Sequence, residues 1–248
     1  MAQIVLSVLA HPDDAEFLCG GTLVRLRREH DWQVHIATMT PGDCGSAEYS
    51  AEAISRMRRA EAANAAAVIG GTYHCAEQRD LLVMYNESCL KAVTRLLRQV
   101  RPSVVITHSP DDYHLDHEMT SRVVRAAAFA APVPLFDPGE LPPLEHIPHL
   151  YYCDAIEGKN AMGEDIPPHF FIDISRVIET KSQMLAAHVS QRNWLIKHHG
   201  MDNYIQSMQD WSAHRGKERG VAFAEGFRQH RGHSYPQDNL LGKVLGTI

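Results

Sequence analysis

Apolar and polar positions along the chain alternate between short β-branched runs and longer segments with helical periodicity. Four compact apolar runs bounded by turn signals are predicted to form buried strands, at residues 3–9, 33–39, 72–75 and 103–107. Segments rich in helix formers are predicted to lie between and after them, at residues 22–30, 51–69, 86–100 and 116–130. Strands that alternate with helices build βαβ units around a parallel sheet. The pattern therefore predicts an α/β fold with right-handed crossovers.

The second half of the chain carries a weaker pattern. Residues 131–150 hold six of the thirteen prolines and are predicted to be irregular. Later strands are predicted at 150–153 and 170–174, and Ser175 is expected to cap a helix that runs to about residue 188. No repeat or domain boundary is visible. We expect a single domain over 1–248, with a less regular C-terminal part after about residue 193, in which His198 and His199 are exposed.

Composition and charge narrow the function classes. The 248 residues are 44% hydrophobic, which is normal for a chain that buries a core, and the formal net charge is −6. That balance gives no reason to expect nucleic acid or an anionic membrane surface as partner. The five cysteines include no C-x-x-C pair, and neither a membrane-length apolar run nor a signal peptide is visible. The sequence therefore predicts a cytoplasmic protein without a membrane partner.

Two polar clusters follow predicted strands. His11-Pro12-Asp13-Asp14 comes after the first strand, and His114-Leu115-Asp116-His117 comes beyond the fourth. In open α/β sheets, ligands bind at the carboxyl ends of the strands, so both clusters are expected at one edge. His11, Asp14 and His117 can supply two imidazoles and a carboxylate, which leaves a position for water. The spacing therefore predicts a catalytic metal site for zinc or another divalent ion.

The remaining cluster residues suit proton transfer and charge stabilisation. Asp13 is expected to act as general base on the attacking water. His114, coupled to the carboxylate of Asp116, is expected to stabilise a developing oxyanion as an imidazolium. A pair of aspartates after a strand can also be a solvated turn or a helix cap, but two clusters at equivalent strand ends favour the metal site.

Longer strings resemble the LmbE-like family, also called the PIG-L deacetylases. Residues 10–16, Ala-His-Pro-Asp-Asp-Ala-Glu, resemble its A-H-P-D-D-x-E signature, and the string 114–117 is similar to its H-x-D-H signature. Residues 181–191 resemble its K-x-x-A-L-x-x-H-x-S-Q segment, with Met184 where alanine is usual. Arg58 and Glu61 match an R-x-x-E. The similarity thus runs in family order from residue 10 to residue 191.

The resemblance implies a Rossmann-like, three-layer α/β fold and a zinc-dependent N-deacetylase acting on a small N-acetylated amino sugar conjugate. It implies one zinc ion per chain, held by His11, Asp14 and His117. It also implies that Asp13 is the general base, that His114, oriented by Asp116, stabilises the oxyanion, and that the protein is a homo-oligomer. Substrate contacts are expected from three further residues, Arg58 near the opening, Asp112 and His188. For the last two a supporting role is the alternative: Asp112 would brace the His114 loop, and His188 would support the sheet.

Three other functions stay open. A metalloamidase on a non-sugar amide, such as a thiol conjugate, would share every catalytic residue. A metal- or sugar-binding protein without turnover would need neither Asp13 nor His114. A nucleotide-binding Rossmann protein is disfavoured, because no G-x-G-x-x-G follows the first strand. Gly20-Gly21 is instead predicted to serve close packing at a helix start.

Overall fold

The computed structural model describes residues 3–199 and 203–248, and the side chains of all of these except 197–199. The exposure predicted for His198 and His199 therefore lies outside the described side chains. The described residues form seven strands: β1 (Ile4–Leu9), β2 (Gln33–Thr38), β3 (Thr72–Cys75), β4 (Val104–Thr107), β5 (His149–Cys153), β6 (Phe170–Asp173) and β7 (Ala224–Gln229).

These strands form one sheet in the order β3-β2-β1-β4-β5-β7-β6. Strands β1 to β5 pair with one another in parallel, whereas β7 runs antiparallel to both β5 and β6. The predicted α/β fold with a mostly parallel sheet is confirmed. Parallel register places Val8 of β1 beside Thr107 of β4, so the segments that follow these two strands leave the sheet side by side.

Helices cover both faces of the sheet. Their bounds in the described residues are α1 (Asp14–Leu18), α2 (Gly20–His30), α3 (Ala51–Ala67), α4 (Glu87–Val100), α5 (Leu115–Ala130), α6 (Ile178–Ala186), α7 (Val189–His199), α8 (Tyr204–Lys217) and α9 (Leu240–Leu245). Helices α4 and α5 pack on one face, and α1, α2, α6 and α8 cover the other. The arrangement is the expected three-layer sandwich.

The strand β1 shows why these segments form a sheet with two covered faces. Val5 and Leu9 point into one core, and Leu6 and Val8 point into the other. A strand buried on both faces is a nearly continuous apolar run rather than an alternating one. Asn86 is the N-cap of α4, and its side chain accepts a hydrogen bond from the backbone N–H of Cys89 at 2.9 Å.

The Gly20-Gly21 pair opens α2 in close contact with the sheet. A Cβ atom on Gly21 would lie 2.7 Å from Cγ2 of Ile174, so only glycine fits there. The N–H groups of Gly21 and Thr22 each donate to the buried carboxylate of Glu225 at 2.8 Å. The predicted packing role of the glycine pair is confirmed.

The helix cap predicted at Ser175 is wrong, whereas the end of the helix agrees with the prediction to within two residues. Helix α6 begins at Ile178, because Ser175 bonds back to the side chain of Asp173 and closes a turn after β6. The helix ends at Ala186, before His188. The part after about residue 193, expected to be less regular, contributes α8, β7 and α9, while the stretch 131–148 is irregular, as expected. None of the helices in the described residues has both the length and the apolar character that a membrane crossing requires.

Candidate metal centre

The two polar clusters meet at the carboxyl edge of the sheet. The Asp14 carboxylate lies at the start of α1, with Oδ2 at 3.3 Å from Nδ1 of His11 and 3.6 Å from Nε2 of His117. Tetrahedral ligands at ordinary zinc distances lie about 3.3 Å from one another. The three groups are thus spaced closely enough to share one ion, and one ligand atom from each lies within 4.8 Å of the other two.

The second ring nitrogen of each histidine faces a carboxylate. Nδ1 of His117 lies 3.0 Å from Oδ1 of Asp112, and Nε2 of His11 lies 3.0 Å from Asp80 and 3.3 Å from Asp116. Histidines that bind metals almost always donate their other N–H in this way, because the partner fixes the tautomer and the ring orientation. The donor set and its partners therefore fit a divalent ion.

The electrostatics of this cluster also favour a cation. Burial lowers the pKa of His11, but hydrogen bonds to Asp116, Asp14 and Asp80 outweigh it and hold the pKa well above the usual value. Burial raises the pKa of Asp14, but the nearby rings of His117 and His108 hold it well below the usual value. Several buried carboxylates around one point leave negative charge that a divalent ion can neutralise.

Asp112 is a brace for the centre rather than a substrate contact. Its side chain is 1% exposed, and Oδ1 accepts from the backbone N–H of His114 at 3.1 Å besides facing His117. It is not among the residues that line the cavity. The predicted substrate contact is therefore wrong, and the alternative, in which Asp112 supports the His114 loop, describes the structure.

The expected pairing of His114 with the Asp116 carboxylate is not found. His114 is the N-cap of α5, and its Nδ1 accepts from the backbone N–H of Asp116 at 3.1 Å. The Asp116 carboxylate instead accepts from the N–H groups of Leu81 and Val83 and faces His11. The Asp116 carboxylate makes its hydrogen bonds with these groups, so adjacency in sequence does not produce a hydrogen bond between this carboxylate and the His114 ring.

The hydrogen bond at this cap determines which ring nitrogen of His114 carries the proton. Because Nδ1 accepts a hydrogen bond, the ring proton of the neutral form resides on Nε2. Burial and the neighbouring rings of His117 and His11 lower the pKa of His114. The ring is thus suited to donate from Nε2 as a neutral imidazole, and the imidazolium expected from the sequence is not favoured.

Asp13 lies beside the three metal-binding candidates in a strained conformation. Its φ of 102° is in the left-handed region, and it is the N-cap of α1. The hydroxyl of Tyr204 donates to Oδ2, and the guanidinium of Arg58 lies 3.8 Å from Oδ1. Burial raises the pKa of Asp13, against the opposing effect of the Arg58 charge. A carboxylate held in this way keeps its orientation and gains basicity.

Two other predicted substrate contacts lie deeper than expected. Arg58 contributes to the cavity wall, but it is 3% exposed and donates to the backbone carbonyl of Pro12 at 2.8 Å, so it lies behind Asp13 rather than at the opening. His188 lies between α6 and α7, 1% exposed, with Nε2 at 3.4 Å from Oε2 of Glu16. The prediction that His188 reaches the cavity is wrong, because α6 ends before it and the ring turns into the core.

The other residues of the family-like strings brace the structure around the centre. Glu61 on α3 accepts from both the backbone N–H and the hydroxyl of Ser190 at the start of α7. The buried amine of Lys181 lies 2.8 Å from the Glu225 carboxylate, which also accepts at the start of α2. These pairs fix α7 and α2 against the rest of the fold.

Sequence reasoning missed His108 and Asp80, and it missed the contact of Tyr204 with Asp13. His108 directly follows β4, stacks on His117 with ring centres 3.9 Å apart, and accepts from the backbone N–H of Ala10 at 2.9 Å. Burial lowers its pKa to about 4, so the ring is neutral. Its position at a strand end was a usable signal. Asp80 and Tyr204 lie outside any recognisable string.

A cavity of about 430 Å³ opens over the centre. That volume is in the range of sites for small molecules. Polar groups of the centre form one side, and apolar or aromatic side chains form much of the rest. The lining includes Phe17, Leu81, Tyr113, Ile156, Trp194, Leu195 and Tyr204. The side chains of Trp194 and Tyr204 reach this cavity, whereas Trp211 packs against Arg215 elsewhere.

Comparison with known proteins identifies relatives. Residues 6–128 match the family described as PIG-L, GlcNAc-PI de-N-acetylase. The chain is 28% identical over 240 residues to 1D-myo-inositol 2-acetamido-2-deoxy-alpha-D-glucopyranoside deacetylase of Rhodococcus jostii, covering 75% of this chain and 81% of the relative. It is 25% identical over 241 residues to diacetylchitobiose deacetylase of Thermococcus kodakarensis, with coverages of 90% and 82%. It is also 26% identical over 184 residues to 4-oxalmesaconate hydratase of Pseudomonas putida, with coverages of 71% and 69%.

Solved structures share the fold. N,N'-diacetylchitobiose deacetylase from Pyrococcus horikoshii superposes with a TM-score of 0.77 at 24% identity, covering 96% of this chain and 89% of that one. The 4-carboxy-2-hydroxymuconate hydratase from Pseudomonas putida also gives 0.77, at 21% identity, with coverages of 96% and 99%. Because a deacetylase and a hydratase share this architecture, the fold alone does not define the reaction.

Proposed function

Because the chain belongs to the PIG-L, or LmbE-like, family over residues 6–128, we propose that it is a metal-dependent hydrolase that removes the acetyl group from an N-acetylated amino sugar conjugate. One observation carries the proposal: His11, Asp14 and His117 converge at the wall of a cavity, with Asp13 beside them. Hydrolysis of an amide needs a cation for the carbonyl oxygen and a base for water. The centre offers a place for both.

One zinc ion per chain is the proposed cofactor, held by His11, Asp14 and His117. Two imidazoles and one carboxylate are typical of catalytic zinc sites, although manganese, iron and cobalt accept the same donors. Zinc bound there would supply Lewis-acid polarisation of the acetamide carbonyl and of the attacking water.

Asp13 is the proposed group for both proton transfers. Its carboxylate takes a proton from the water as the water oxygen bonds to the acetamide carbon. The same group then returns the proton to the amide nitrogen as the C–N bond breaks, so that acetate and a free amine are released. Arg58 and the Tyr204 hydroxyl hold Asp13 in place for both transfers. His114 is proposed to donate from Nε2 to the carbonyl oxygen as negative charge develops on it.

The cavity favours a sugar over the substrate type of the hydratase relative. Arg58 is the one Lys or Arg among the described residues that line it, and that guanidinium is already engaged by Pro12 and Asp13. Apart from the proposed metal ion, a carboxy-muconate would find no free cationic partner among these residues, whereas the ring of a neutral sugar can stack on Trp194. The hydratase reaction is therefore not the proposal.

The decisive experiment pairs elemental analysis of the purified protein with acetate detection across N-acetylglucosamine compounds. We expect about one divalent ion per chain and release of acetate from at least one conjugate, in amounts equal to the free amine formed. Release of carboxylate only from non-sugar amides would favour the metalloamidase alternative. A stoichiometric metal with no amide turned over would favour the binding protein. The cytoplasmic location, the single domain over 1–248 and the homo-oligomer stay predictions.

A further inference from the structure

Leu81 combines three features that rarely occur together. Its φ is 65°, in the left-handed region that a branched side chain avoids. The side chain is 62% exposed, and it lines the cavity over the candidate metal centre. A strained backbone that presents an apolar side chain to solvent gains nothing for folding. Strain of this kind clusters at ligand clamps and functional sites.

Two carboxylates of the centre hold Leu81 in this conformation. Its backbone N–H lies within hydrogen-bond distance of Asp116 at 2.7 Å and of Asp80 at 3.1 Å. Both aspartates also face Nε2 of His11. The position of the Leu81 side chain is therefore fixed by the same groups that orient a metal-binding candidate.

A second exposed apolar side chain lines the same cavity. Tyr113 is 59% exposed, and its ring meets those of His114 and His117 edge-on, at 5.7 and 5.6 Å between centres. We call Leu81 and Tyr113 the apolar platform. The described lining offers no accessible Lys or Arg beside it. An anionic group on a substrate would thus find apolar surface and the carboxylates of Asp13 and Asp80.

We propose that the apolar platform binds the part of the substrate attached to the amino sugar, and that this part is uncharged and apolar, such as an alkyl or aryl group. The proposal rests on the proposed function for the identity of the sugar. It makes Leu81 a specificity-determining residue. Conjugates that carry carboxylates or phosphates are poor substrates on this view, because nothing at the platform pairs with their charge.

The test compares Leu81→Asn with Leu82→Asn in the metal-loaded protein. Asparagine matches leucine in size and tolerates the left-handed region, so Leu81→Asn should fold without loss of stability. Leu82 is 61% exposed but does not line the cavity, so Leu82→Asn is the matched control. Two measurements are made on octyl N-acetylglucosaminide, N-acetylglucosaminyl malate and free N-acetylglucosamine: binding by calorimetry, and kcat/KM from acetate release.

We expect the wild type and Leu82→Asn to prefer the octyl glycoside, and Leu81→Asn to lose about tenfold of that preference in both measurements. A wild-type preference for the malate conjugate or for the free sugar would overturn the inference while leaving the proposed function intact. The inference would also be overturned if Leu81→Asn changed the sedimentation coefficient of the protein but not its preference for the octyl glycoside. The leucine would then contact another copy of the chain rather than the substrate. Octyl glycoside binding that depends on Leu81, with no acetate from any compound, would support the platform and overturn the proposed function.

Discussion

The metal centre and the apolar platform share one cavity but are built differently. The centre takes its side chains from two short strings, each following a strand of the parallel sheet, and these residues are ionisable and buried or half-buried. The platform and the rest of the wall come from residues 80–81, 113, 156, 194–195 and 204, which are separated in sequence and largely apolar. The reaction is thus encoded locally, whereas substrate choice depends on how distant segments pack.

The largest effect is expected from His117→Ala. Loss of one of three ligands should reduce the metal content from about one ion per chain to almost none, and turnover should fall on the order of 10⁴-fold. Elemental analysis and acetate release measure the two effects. His233→Ala removes an exposed histidine and is the control. A His117→Ala protein with full metal occupancy would remove His117 from the ligand set.

Asp13→Asn separates proton transfer from metal binding. The amide keeps the size of the carboxylate but cannot accept the proton of water, so we expect turnover to fall about 10³-fold while the metal is retained. Asp111→Asn, which changes an exposed aspartate three residues before the second string, should leave both unchanged. Wild-type turnover in Asp13→Asn would show that another group is the base.

Asp112→Ala tests the corrected role of this residue. If it braces His117, the dissociation constant of the metal should rise about 10–100-fold, as is usual for partners of metal-binding histidines. The KM of the metal-saturated enzyme should change little. Competition with a chelator gives the first quantity and acetate kinetics give the second. A raised KM with unchanged metal affinity would restore the substrate contact expected from the sequence.

The sequence predicted the centre because its geometry follows from strand ends. The apolar runs before His11 and before His114 identify two parallel strands, and residues that follow neighbouring parallel strands lie at one edge. The prediction that failed, the pairing of His114 with the Asp116 carboxylate, depends on the local turn. Asp116 is two residues from His114, yet the start of α5 directs its carboxylate to the N–H groups of Leu81 and Val83.

The rest of the wall could not be predicted, because it depends on contacts between residues far apart in the chain. Tyr204 reaches Asp13 across 191 positions, and it opens a helix in a segment with no recognisable pattern. The strained φ of Leu81 depends on carboxylates from two other places, residues 80 and 116. Neither periodicity nor composition encodes such contacts.

Tyr204→Phe tests whether a residue of the cavity wall outside the metal centre also contributes to the reaction. Removing the hydroxyl takes one hydrogen bond from the Asp13 carboxylate, and we expect kcat to fall about tenfold with little change in KM or metal content. Tyr85→Phe, which changes an exposed tyrosine that does not line the cavity, is the control. A raised KM with unchanged kcat would confine Tyr204 to substrate binding and sharpen the division between centre and wall.

The smallest effect is expected far from the cavity, where the C-terminal helix α9 is tied to the sheet. Hydrogen bonds from Lys243 and His149 lower the pKa of Asp238 to about 2. A carboxyl with a lowered pKa in the folded state stabilises above its unfolded pKa of about 4, and this contribution is lost as the pH falls towards 2. Because the group is exposed, Asp238→Asn should cost only about 0.5 kcal/mol at pH 6. Thermal unfolding of the two proteins should therefore differ slightly at pH 6, less in high salt, and not at pH 2. A difference that persists at pH 2 would show that the side chain acts through packing rather than charge.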